Sequence, residues 1–249
     1  MNAPGKLGFA IGFSMLAICS VPFCAQATTT SISIFSNPGA GSNAPSVSGA
    51  SYSAALSFDD VLGKLTIDIT NTSLASIGGD LTAFVFNLPD GLNYTASSFT
   101  QTTLTGSPDP FAVSTGASAN PYGTFDILTS ATGGDFEGGG QPKGLAVGES
   151  MAVSYLVTSL SPLSNFTIAD FVAATTSSAK GSYFFVARFR GIAGLEGLGS
   201  DKLPAITSAN GVPAVPVPAA LPLLGSAIGA LGGFAAWKRR RKAAASYRP

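Results

Sequence analysis

The chain has 249 residues, of which 45% are hydrophobic and only 10% charged, with cations and anions in equal number. That charge content is well below the roughly 25% of an average soluble domain, and the apolar richness excludes a disordered chain and leaves enough material for one sizeable core. There is no histidine, which excludes Ser-His-Asp and Cys-His catalysis and the usual zinc sites.

Residues 1–27 read as a secretory signal peptide. Lys6 supplies the positive start, Leu7 to Cys19 the apolar stretch, and Ala25-Gln26-Ala27 a small-residue cleavage site. The mature chain then begins at Thr28. Both cysteines, Cys19 and Cys24, fall in this leader, so the mature protein has no disulfide and no cysteine metal site.

From Thr28 to about Ala209 the hydrophobic pattern has period two, broken by turn residues, which predicts an all-β body. Lys64 to Asn71 alternates, with Leu65, Ile67 and Ile69 toward a core and Thr66, Asp68 and Thr70 toward water. Leu81 to Leu88 is nearly all apolar, as a central strand would be. Met151 to Thr158 and Ser182 to Arg190 are further strong strands. In the last, Tyr183, Phe185, Ala187 and Phe189 are expected on one face and Arg188 and Arg190 on the other. Ser51 to Phe58, Tyr94 to Thr100 and Gly123 to Leu128 give weaker strand signals, and Ile168 to Ala174 reads as a short helix. Turn signals stand at Asp90-Gly91, Pro108-Asp109-Pro110, Asn120-Pro121 and Gly133-Gly134. The spacing suits one antiparallel β-sandwich of roughly eight to ten strands.

All thirteen acidic residues lie between Asp59 and Asp201, accompanied by the cations Lys64, Lys143, Lys180, Arg188 and Arg190 and, one residue beyond, Lys202. An acidic body does not suit nucleic acid, whose phosphates need cations on the domain itself. Asp59-Asp60 sits between two strands and could offer oxygen ligands to calcium, or simply form a solvated turn. Asp135 and Glu137 alternate in the glycine-rich run from Gly133 to Gln141. They are candidates for calcium or, with Phe136 as a stacking ring, for a glycan. A solvated loop explains that run equally, and a glycine-rich loop is a poor frame for the paired acids of a glycosidase. Arg188 and Arg190 could grip an acidic polysaccharide or pair with local acids. No other cofactor is expected.

The C-terminal segment has three parts. Residues 210–218 form a Pro-rich linker with Pro213, Pro216 and Pro218, which favour extended polyproline geometry. Ala219 to Trp237 is uncharged and apolar, about the minimum length for a membrane-spanning helix. Lys238, Arg239, Arg240, Arg241 and Lys242 then open a basic tail, residues 238–249, and stop transfer with the tail in the cytoplasm. Gly225, Gly229, Gly232 and Gly233 would let the span pack closely on another helix.

This three-part pattern resembles a PEP-CTERM sorting signal of the VPxPA variant, carried by Val215, Pro216, Val217, Pro218 and Ala219. Val217 stands where the name-giving pattern has Glu, which points to a variant processing enzyme. The resemblance implies recognition by an exosortase, a membrane intermediate held by the C-terminal helix, removal of the tail, and a product at the cell surface or outside a Gram-negative, exopolysaccharide-making bacterium. Thr70 to Ser76 and Phe184 to Leu203 also look like stretches of other bodies that carry this tail. The expected task is structural or adhesive in the polysaccharide matrix, not enzymatic. A secreted polysaccharide hydrolase using only acids, and a calcium-stabilised binding module, are the alternatives. Asn71, Asn93 and Asn165 begin N-x-S/T triplets, which a Ser- and Thr-rich chain produces by chance.

Overall fold

The computed structural model describes residues 28–44, 48–95, 98–131, 133, 136, 143–193 and 199–207. Within them lie thirteen strands and one short α-helix. The expected leader, linker, membrane span and basic tail lie outside the described residues. Among the described residues no helix is long and apolar enough to cross a membrane.

The strands are β1 (Thr29–Ser36), β2 (Tyr52–Asp59), β3 (Lys64–Asn71), β4 (Gly78–Phe86), β5 (Leu92–Tyr94), β6 (Thr100–Thr105), β7 (Ala112–Ser118), β8 (Thr124–Ser130), β9 (Ser150–Ser159), β10 (Thr176–Ser178), β11 (Gly181–Tyr183), β12 (Phe185–Ile192) and β13 (Ser200–Thr207). Helix α1 spans Ile168–Ala173. Every pairing is antiparallel. Eleven strands form one sheet in the order β5-β9-β3-β2-β1-β13-β12-β4-β8-β7, with β6 beside β5 on the free edge of β9; β10 and β11 form a separate hairpin.

The sheet curls so that its two halves face each other. Tyr52 of β2 lies 5.7 Å from Phe185 of β12, and Phe86 of β4 meets Tyr155 of β9 edge-on at 5.2 Å. None of these strands are neighbours, so the rings meet across the interior. The Tyr155 hydroxyl also shares a buried 2.6 Å hydrogen bond with Thr129 Oγ1 of β8. The turn from one half to the other is the β1–β13 seam, joined through Ile34 to Ser36.

The alternating strands behave as their sequences require. In β3, Leu65, Ile67 and Ile69 are fully buried while Asp68 is exposed. In β4 every residue from Leu81 to Phe86 is buried, because both of its faces are covered. Leu81, Phe84 and Phe86 enter the main core, whereas Ala83 and Val85 enter a second, smaller cluster on the outer side. A bulge at Thr82, where Leu81 and Ala83 pair with the consecutive residues Phe189 and Arg188, sets this division.

The second cluster differs from the sequence expectation. Tyr183 packs there, edge-on to Tyr122 at 4.9 Å, while Phe185, Ala187 and Phe189 face the main core. The predicted strand over 182–190 is broken at Phe184, which puts Tyr183 on the other side. The strand predicted over 94–100 is likewise two strands, β5 and β6. Ser98 stands between them, and its hydroxyl accepts the Leu156 N–H at 2.9 Å in place of a regular rung.

Two buried features fix the connections. Asn71 is fully buried; its amide donates to the Gly79 and Leu145 carbonyls, both at 2.9 Å, and its Oδ1 accepts the Ser73 N–H at 3.1 Å. It thus ties the end of β3 to the start of β4 and to the strap at Gly144-Leu145. That strap pairs with Leu81 in both directions, at 2.9 and 3.0 Å. Gly144 has φ +136, and a Cβ there would collide with the Leu81 carbonyl, so only glycine permits the approach.

Candidate functional site

A concavity lies at one end of the curled sheet, around the loop from Asn87 to Gly91 that leaves β4. It has two compartments, of about 640 Å³ and about 460 Å³, which share Leu88, Pro89, Asp90 and Asp126. The larger is flanked by α1 and the segment running into β10, the smaller by β5 and β7, and both open to solvent. Volumes of about 300–1,000 Å³ are usual for small-ligand sites.

Its floor is built by hydrogen bonds between distant segments. Asn87 is buried, and its amide donates to the Ala174 carbonyl at 3.2 Å and to Thr176 Oγ1 at 2.9 Å. Thr176 Oγ1 donates in turn to the Thr124 carbonyl at 2.7 Å. Asp126 of β8 bonds to both Asn87 and Leu88, just past the end of β4. Asn87 Oδ1 accepts the Asp126 N–H at 3.2 Å, and Asp126 Oδ2 accepts the Leu88 N–H at 3.0 Å. One oxygen of Asp126 is thereby fixed while its side chain remains exposed.

Asp170 reaches the larger compartment from the first turn of α1. Its Oδ2 accepts the Thr167 N–H at 2.7 Å and the Thr167 hydroxyl at 2.9 Å. These bonds cap the helix and hold the carboxylate in place. The helix itself is anchored by Ile168 and Phe171 in the core and by Ile168 N–H donating to Thr30 Oγ1 at 2.9 Å. Asp90, on the shared wall, is exposed and makes no hydrogen bond to the described residues.

A partly exposed ring stands in each compartment, Phe166 in the larger and Tyr94 in the smaller. Partial burial raises the Tyr94 pKa from its ordinary value. Gly116, facing Asp126 across the β7–β8 ladder, has φ +70 and no neighbour where a Cβ would stand, which leaves that side open. Three carboxylates and no lysine or arginine line the concavity among the described residues.

The residues singled out from sequence lie elsewhere. Asp59 Oδ1 accepts the Val61 and Leu62 N–H groups at 3.0 and 2.8 Å, and Asp60 Oδ1 accepts the Thr28 N–H at 2.9 Å. Both acids therefore organise the β2–β3 turn and the start of β1. Asp135 and Glu137 lie outside the described residues. Among the described residues no group of three or more His, Cys, Asp or Glu side chains is arranged to hold a metal ion.

Two of the glycan candidates need correction. Phe136 is 2% exposed, packed in the second core cluster beneath Lys202, whose Nζ is 5.8 Å from the ring centroid. The ring fills a hydrophobic site and is not presented for stacking. Arg188 is 7% exposed, and its Nη1 donates to the Phe136 carbonyl at 2.6 Å. It holds the Phe136 backbone against β12, so its guanidinium is not offered to an acidic polymer. Arg190 is partly buried further along the same strand. Of the N-x-S/T asparagines, Asn71 is a buried pin, whereas Asn93 and Asn165 are exposed at the two compartments.

A second group of acids is structural. Asp109 Oδ2 accepts the Gly144 N–H at 2.9 Å, and Glu149 accepts the Ser107 and Ala146 N–H groups at 2.7 and 2.9 Å. Nearby Asp80 has its pKa raised by partial burial and then by the charges of Asp109 and Glu149.

Comparison with known protein families, with curated proteins and with solved structures gave no match to this chain.

Proposed function

We propose that the protein is an exported surface or matrix component of a Gram-negative bacterium, sorted and trimmed at its C-terminus by an exosortase-type enzyme, with a β-sandwich body that associates with exopolysaccharide. The observation that carries this reading is the ordered tail: Val215-Pro216-Val217-Pro218-Ala219, then an uncharged apolar stretch to Trp237, then five consecutive cations. An extended Pro-rich segment resists pairing into a sheet and offers an enzyme free backbone to grip. The apolar stretch holds that segment at the membrane, and the cations fix its direction.

The body is consistent with this role. Its strands are rich in Ser and Thr, and β6 and β7 present mostly exposed small polar residues to solvent. A weakly charged, hydroxyl-rich surface suits a hydrated polymer.

The reading is tested in the host by replacing Pro216 and Pro218 with alanine and fractionating the cells. Loss of surface or medium protein, with accumulation of a larger form in the membrane, is the expected result. Unchanged distribution would refute sorting through this segment.

A further inference from the structure

We infer that the two-compartment groove around Asn87–Gly91 is a binding site for a polysaccharide of amino sugars whose amines are free and charged. This inference rests on the reading of the body as a polysaccharide-associated module, and it narrows the class of polymer.

Three properties of the groove lead to it. First, the two compartments adjoin, with Leu88, Pro89, Asp90 and Asp126 lining both, so neighbouring sugars of one chain can occupy one each. Second, each compartment carries one partly exposed aromatic ring, Phe166 or Tyr94. A ring face covers the apolar face of a pyranose and also attracts an ammonium group. Third, the polar groups around those rings are fixed before any ligand arrives. Asp126 and Asp170 each have Oδ2 tied to backbone N–H groups, and the Asn87–Thr176–Thr124 chain of bonds braces the floor. Ligand binding then costs little ordering of the site.

The charge of the lining selects among glycans. Asp90, Asp126 and Asp170 give it three negative charges, and no described lining residue is a cation. A uronate polymer would be repelled. A neutral glycan would gain only hydroxyl hydrogen bonds. A glycan bearing ammonium groups gains those and attraction to the carboxylates as well. An acidic polymer held by Arg188 has no basis in the structure, because that side chain is buried and bonded to the Phe136 carbonyl.

The test is calorimetric titration of the full-length chain in detergent. The probes are a glucosamine hexamer, its fully N-acetylated counterpart, a β-linked glucose hexamer and a uronate oligomer. The pH is set above the ordinary carboxylate range and low enough to keep the sugar amines charged. The glucosamine hexamer is expected to bind about tenfold more tightly than the N-acetylated one, with the advantage shrinking as salt rises. Asp90→Asn and Asp126→Asn should each weaken it about two- to fivefold, while Asp68→Asn, an exposed acid on β3 outside the groove, changes nothing. Asp90→Asn touches no hydrogen bond within the described residues, so its effect is free of folding loss; the melting temperature of Asp126→Asn checks the other. Equal binding of the amine and N-acetyl hexamers, or preference for the neutral or uronate probe, overturns the inference while leaving polysaccharide association standing. Binding of none of the four overturns it too; titration with the host's own exopolysaccharide then shows whether association fails as well.

Discussion

Asn71 offers the sharpest test of how the body is held together. Its side chain is fully buried and makes three hydrogen bonds to backbone groups of three separate segments. Asn71→Ala removes all three. It strands the buried Ser73 N–H and deprives the Gly79 carbonyl of its side-chain donor, each worth about 1–3 kcal/mol when left unmet. The Leu145 carbonyl keeps the Leu81 N–H and suffers less. The sum is about 3–5 kcal/mol, a large share of the roughly 5–15 kcal/mol that holds a domain folded. At about 2–4 °C per kcal/mol for a domain of this size, the melting temperature should fall by about 6–20 °C. Asn71→Asp sharpens the argument. Its carboxylate would face the two carbonyls, so folding would favour the protonated acid and raise its pKa above the unfolded value. The penalty is then full above that raised pKa and shrinks as the pH falls through it. Denaturant unfolding followed by circular dichroism at neutral and mildly acidic pH reads both variants. A loss below about 1 kcal/mol for Asn71→Ala, or an Asn71→Asp penalty independent of pH, would refute the assignment.

Other consequences follow from the same structure. Asp80 has its pKa raised by burial and by Asp109 and Glu149, so its ionised form disfavours the fold above the unfolded pKa. Asp80→Asn should raise the melting temperature at pH 7, with the gain vanishing as the pH falls below the carboxylate range; a constant gain would contradict the cause. Tyr52, Tyr122 and Tyr155 have pKa values raised first by burial. They should keep their protons under alkali until the chain unfolds, so phenolate absorbance should rise in two steps, the second coinciding with loss of circular dichroism. Phe136→Ala should cost about 3–5 kcal/mol, as for other buried aromatic truncations; a neutral effect would return Phe136 to the surface.

The elements legible in the sequence are those whose two faces differ. Lys64 to Asn71 and Met151 to Thr158 alternate between core and solvent, and the structure places β3 and β9 there. Strands such as Thr100–Thr105, TQTTLT, lack that contrast because threonine serves either face, so β6 was not legible and neither was β7. The uniform run in β4 predicts a central strand, and its cause is a second core beyond the sheet. That cluster draws Phe136 from a glycine-rich stretch whose composition suggests solvent. The groove was the least legible feature. Asp90, Asp126 and Asp170 are far apart in sequence, and each stands beside ordinary turn, strand or cap signals. Only the sheet order and the Asn87 network bring them to one end.

The account's central claim, an exported body released from a C-terminal sorting tail, is tested most directly by the intact mass of the protein recovered from the surface and medium of its host. A species beginning at Thr28 and ending between Val215 and Ala219 is the predicted result. A mass that retains the Lys238 to Pro249 segment would mean a permanent anchor and would contradict the claim.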